Sequence, residues 1–175
     1  MPSNTHELTS KWKQSSLNAR EKYQVSNSYR PWTGKADFKG VGMSKTNRVL
    51  DLLDLVVIEA MKGRTKRTLS EATSFLKDSY IDVSQSHDRK VVTNRSGVTP
   101  TVTTATELYS FNKDRLVLPQ EIMRMHGHCL EQTRFPAGMS LAEMRRLAGE
   151  GMAVCCIGTV IWCVYLTKHF ASTAE

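Results

Sequence analysis

Residues 152–166, MAVCCIGTVIWCVYL, run without a single charge, and no other stretch limits the fold of this chain so strongly. As a helix the run is apolar on every side. At ~1.5 Å per residue it reaches about 22 Å, short of the ~30 Å hydrocarbon core of a bilayer. The expectation is therefore a helix buried on all sides by protein, and the alternative is a tail anchor in a membrane. Three of the four cysteines, Cys155, Cys156 and Cys163, fall inside the run, which reads as burial of small hydrophobic side chains. Together with Cys129 they match neither a disulfide ladder nor a zinc-site spacing. No apolar stretch that would serve as a signal peptide opens the sequence. A reducing setting is expected, nuclear or cytoplasmic and not secreted.

Charge divides the chain unevenly. Up to Thr68 there are 13 Lys/Arg against 6 Asp/Glu, and from Leu69 onward 11 against 11, so the whole net charge of +7 lies in the first part. A one-sided basic bias suits a polyanion, because each neutralised phosphate releases counterions. Residues 1–43 are polar, with Trp12, Tyr23, Tyr29, Trp32 and Phe38 scattered among lysines and arginines and with Pro31, Gly34, Gly40 and Gly42 breaking any long period. They read as a basic, loosely structured arm that either stacks on bases or lies across a partner domain.

From Ser44, a candidate cap, Val49, Leu52, Leu53, Val56, Val57, Ala60 and Met61 recur at helical spacing up to Gly63. Thr68-Leu-Ser-Glu71 is a capping box that opens a short helix through Leu76. Residues 80–84 read as a strand, and residues 102–111 as a strand or extended loop. Leu118-Pro119 starts another helix that Gly127 stops, because proline suits the first helical turn. Ser140-Leu-Ala-Glu143 is a second capping box, and Gly149-Glu150-Gly151 is expected to break the chain before the apolar run. The expected fold is α+β, mostly helical with a few short strands around residues 80–110. Residues 44–175 form its body and residues 1–43 its arm.

Several of these segments resemble one family. Pro100-Thr-Val-Thr-Thr104, Leu108-Tyr-Ser-Phe111, Arg115-Leu-Val-Leu-Pro-Gln-Glu121 and Arg124-Met-His-Gly127 are similar, in order and spacing, to the late motif of DNA (cytosine-5) methyltransferases. Leu147-Ala-Gly-Glu-Gly-Met-Ala-Val154 resembles the family's last motif, which opens its C-terminal helix. The resemblance covers about half of the chain. It implies a C-terminal methyltransferase part without the Rossmann-like catalytic half. It assigns Gly149, Glu150, Gly151 and Met152 to the wall of an S-adenosylmethionine pocket, and Thr104, Arg115 and Arg124 to a DNA-facing surface. The implied partners are DNA and a catalytic half on which the apolar helix packs, with self-association through that helix when the half is missing.

The departures carry chemistry. Leu118 stands where the family has a capping Thr, and Glu150 stands where it has Asn. An amide donates and accepts, whereas an ionised carboxylate only accepts. The family reaction needs a thiolate nucleophile and an extruded base. None of the four cysteines follows a proline, and neither a Glu-Asn-Val triplet nor an F-x-G-x-G cofactor loop occurs. No catalytic residue is therefore assigned, and the chain is not expected to transfer methyl groups alone. A non-enzymatic basic nucleic-acid-binding protein is the alternative reading. His126-Gly-His128-Cys129 crowds three potential ligands together, but a zinc site needs a fourth. The expectation there is a solvated helix end and no metal.

Overall fold

The computed structural model describes residues 5–63, 66–89, 92–93, 101–151 and 153–171, with backbone alone at 5–10, 92–93 and 168–171. The chain divides into two units: Met1–Val102 with Thr106–Val117, and Thr103–Ala105 with Leu118–Glu175. The fold is of the α+β class, as expected, with helices in both units and a single small sheet among the described residues.

The first unit collects around the apolar stripe read from the sequence. Helices α1 (Thr5–Lys22), α2 (Asn47–Lys62) and α3 (Leu69–Leu76) precede strand β1 (Tyr80–Asp82), a 3-10 turn at His87–Arg89, and strands β2 (Val92–Thr93), β3 (Leu108–Ser110) and β4 (Arg115–Leu116). Val49, Leu52, Leu53, Val56 and Val57 of α2 are all buried. They share one core with Leu76 of α3, Ile81 of β1, Tyr109 of β3 and Phe111 just after it. The strands are antiparallel in the order β2-β1-β3-β4, with Tyr80 opposite Ser110 and Ile81 opposite Tyr109. α2 begins at Asn47, three residues later than the candidate cap Ser44, and its N-cap Thr46 makes no side-chain cap bond. Gly63 closes it, donating its N–H to the Glu59 carbonyl at 2.8 Å. The Thr68 capping box of α3 is formed in both directions.

The segment read as a loose arm is built into this unit. Residues 5–22 are helical, and Trp32 and Met43 belong to the core. Trp32 donates from its indole N–H to the Tyr109 hydroxyl at 2.8 Å, and its ring meets Phe111 edge-on. Val41 extends the sheet by a parallel bridge to Arg115. Sequence periodicity misses α1 because a buried arginine, not an apolar stripe, fastens it.

The second unit is helical: α4 (Pro119–Met125), α5 (Leu141–Glu150) and α6 (Val154–Ala171). Leu118 lacks the side-chain cap that a hydroxyl would supply, and only the reciprocal half of a box remains, with Glu121 Oε2 accepting from the Leu118 N–H at 2.9 Å. Gly127, at φ +85°, takes the left-handed turn that ends α4. The Ser140 box starts α5 as expected. Gly149 does not break the chain: α5 runs through Glu150 and ends at Gly151.

α6 departs most from expectation. Among its residues from Val154 to Thr167 only Ile157 and Leu166 are half-buried and the rest are exposed. Ile161 is 63% and Trp162 60% exposed. Cys155, Cys156 and Cys163, read as buried hydrophobes, are exposed with the helix that carries them, and Cys129 is exposed too. The described residues hold nothing that covers this helix.

Candidate functional site

Parts of two segments singled out in the sequence, Thr103–Thr104 and Gly149, pack on one another. Gly149, inside α5, faces the backbone of Thr103 and Thr104, 45 residues earlier in the chain. A Cβ at Gly149 would fall 2.6 Å from the Thr104 Cα and closer still to the Thr103 carbonyl. A glycine is therefore required by close approach and not by its φ angle. Thr104 is exposed and in a turn.

Glu150 forms the last residue of α5, where the helix dipole already concentrates negative charge. Its carboxylate accepts from Arg146 Nε at 2.9 Å, one turn back. That bond raises the Arg146 guanidinium above its usual value. Gly151 is the C-cap, with extended backbone, and donates its N–H to the Leu147 carbonyl at 3.0 Å. Next to it lies His126, whose Nδ1 is buried without a hydrogen-bond partner and whose carbonyl accepts from the Val154 N–H at 2.7 Å. This end of α5 thus offers acceptors: a carboxylate and helix-terminal carbonyls. Met152 lies outside the described residues.

The three DNA-facing candidates do not share a unit. Thr104 and Arg124 belong to the second, and Arg115, on β4, to the first. Arg115 is half-buried and donates to the Leu116 carbonyl at 2.8 Å. Arg124 is exposed and pairs with Glu131 at 2.9 Å. His126 and His128 have ring centroids 6.5 Å apart and Cys129 Sγ donates to Glu131, and among the described residues no group of three His, Cys, Asp or Glu converges to hold a metal.

The basic excess is partly absorbed by structure. Arg20 is 1% exposed and lies 2.7 Å from Asp51. Arg48 donates to the carbonyls of Val83 and Gln85. Arg67 sits over the Phe75 ring at 4.2 Å and bonds the Ala60 carbonyl, and its neighbour Arg64 lies outside the described residues. Lysines make up most of the exposed remainder: Lys11, Lys13, Lys22, Lys39, Lys45, Lys62 and Lys66, with Arg30 beside them.

The sequence reading missed a buried polar cluster. Asp51 accepts from Arg20 and from His87 Nε2 at 3.3 Å, and Trp12 of α1 stacks on the His87 ring. Burial alone would raise the Asp51 carboxyl; bonds from His87, Ser16 and Arg20 outweigh it and hold it well below the ordinary range. Asp54, three residues on, accepts from the N–H groups of Trp32 and Thr33 and from the Thr33 hydroxyl, and burial pushes it upward. One signal was available: two aspartates inside the apolar run of α2 have to be paired if they are buried.

No protein-family model, curated protein or solved structure matches the chain.

Proposed function

We propose that this chain supplies the C-terminal part of a DNA (cytosine-5) methyltransferase, lending DNA-facing surface and part of a cofactor-pocket wall to a catalytic half outside these 175 residues. The observation that carries the reading is the contact of Gly149 with Thr103 and Thr104. It joins the Thr103–Thr104 end of one motif-like segment to the last motif-like segment in one unit, with Glu150 and Gly151 next along the chain. S-adenosylmethionine, held at this edge, would supply the methyl group. The residues present suit its hydroxyl and ammonium groups, because Glu150 and the terminal carbonyls of α5 accept hydrogen bonds. They do not reproduce the donor half of the family's amide. The uncovered α6 supports the same reading, since a helix apolar on every side suits an enveloping partner.

Complementation tests the proposal. A cytosine-5 methyltransferase catalytic half lacking its own last two motifs is co-expressed with this chain, and cytosine methylation is read by bisulfite sequencing. Methylation above that of the half alone is the expected result, and its loss with Gly149→Trp ties it to the contact. No gain, with both proteins soluble, overturns the proposal. Methyl transfer by this chain alone would overturn it too, because the sequence provides no nucleophile.

A second reading rests on α6 as well. Its 18 residues span about 27 Å as a helix, and by length and composition the stretch Leu141–Thr167 holds a window apolar enough to cross a membrane. Flotation with liposomes that survives alkaline carbonate would favour an anchor over a partner half.

A further inference from the structure

The cleft between α1 and α2 belongs to the first unit and has no part in the reading above. Its volume is about 480 Å³, within the ~300–1,000 Å³ usual for small-molecule sites. We propose that it binds a ligand of nucleotide class, with the phosphate on Lys13 and Arg30 and the flat base against Trp12 and Leu17.

The charge of the lining carries the first half of the argument. Three cations line the cleft, Lys13, Arg20 and Arg30, against one carboxylate, Asp51. Arg20 closes on Asp51 at 2.7 Å and bonds the carbonyls of Ser26 and Tyr29, so it forms a satisfied floor. Arg30 is different. Its side chain is 40% exposed and Nη1 donates to the carbonyls of Asn27 and Tyr29, which fixes the guanidinium in place. Its nearest carboxylate oxygens, on Asp51 and Asp54, stand 3.7 Å away, beyond hydrogen-bond distance. The fork therefore keeps N–H groups for a ligand oxygen, which is the geometry that recognises phosphate. Lys13, on α1, is exposed and has no partner among the described residues. Counting Asp54 behind Arg30 as well, the cleft still carries one net positive charge.

The walls carry the second half. Leu17 is 44% exposed beside Trp12, whose ring is half-buried and stacked on His87 at 6.0 Å. An immobilised indole with a leucine beside it offers a flat apolar bed, the kind on which a base stacks. The amides of Asn27 and Asn47 line the same cleft and both donate and accept, as a base edge requires.

Calorimetric titration of the full chain with AMP, adenosine, inorganic phosphate and a short single-stranded oligonucleotide tests the proposal. AMP should bind with a Kd below ~1 mM and about tenfold more tightly than adenosine or phosphate. Lys13→Glu should weaken AMP about tenfold with the circular dichroism unchanged. Leu17→Glu should weaken AMP and adenosine alike. Oligonucleotide affinity that exceeds that of AMP and falls with the same two substitutions would identify a strand end as the source of the phosphate; affinity no better than AMP would identify a free nucleotide. No AMP binding at several millimolar, equal binding of adenosine, or full affinity in Lys13→Glu would overturn the proposal.

Discussion

At the scale of single residues, Asp51 decides whether α1 is held. Its carboxylate receives Arg20 and His87, each nine-tenths buried or more. Removing one partner of a buried pair leaves the other charge unanswered, so Asp51→Ala should cost about 3–5 kcal/mol in urea denaturation. The acid response follows from the direction of its shift. Held below the ordinary carboxylate value of ~3.9, Asp51 contributes stability that is present above that value and lost as pH falls through the folded one. Asp54 is raised and works in reverse, so a little stability returns as pH falls toward the ordinary value from above. Denaturation midpoints between pH 7 and 3 should therefore pass through a shallow maximum and then fall, and Asp51→Asn should lessen the fall. Gly149 is the second deciding residue. Even Gly149→Ala places its Cβ against the Thr103 carbonyl, and overpacking of this kind should cost about 1–3 kcal/mol in the second unit. Retention of wild-type stability in that variant would show that the backbone contact yields freely.

At the scale of elements, local signals worked where local physics dominates. The boxes at Thr68 and Ser140 close as their sequences indicate, and Thr68→Ala or Ser140→Ala should each cost about 1 kcal/mol by thermal melting. α2 was legible from spacing, because Val49, Leu52, Leu53, Val56 and Val57 repeat on the face that joins the main core, although every residue from Asp51 to Ile58 is buried. α1 was not legible. Its burial depends on Arg20 meeting Asp51, 31 residues away, and no period in the sequence records such a meeting. Residues 102–111, read as a strand or extended loop, divide between the two: Leu108–Ser110 form the strand, while Thr103 and Thr104 lie outside the sheet against Gly149. α6 was legible as an element and illegible in its surroundings, since composition shows that a helix wants cover and not where the cover is. Ending the chain at Gly151 should therefore raise solubility, and size-exclusion chromatography should show the full chain larger than a monomer. A monodisperse full-length monomer would mean that α6 needs no partner.

At the scale of the whole molecule, the net charge of +7 sorts into structural arginines and exposed lysines. Binding to duplex DNA should accordingly be weak, indifferent to sequence and steeply salt-dependent, with a log–log slope of about −0.9 per phosphate contacted. Reversing Lys39, Lys45 and Lys66 to Glu together should weaken binding and flatten that slope, as read by fluorescence anisotropy between low and moderate salt. The path of the chain has a consequence of another kind. Three residues of the second unit, Thr103–Ala105, are threaded between two stretches of the first. No single cut by a protease can release the second unit entire, because cleavage before Thr103 carries 106–117 along and cleavage after Val117 leaves the floor under Gly149 behind. A gene lesion meets the same geometry. A reading frame that starts after residue 117 would encode α4, α5 and α6 but not the backbone on which α5 rests, so this half of the molecule cannot be inherited without part of the other.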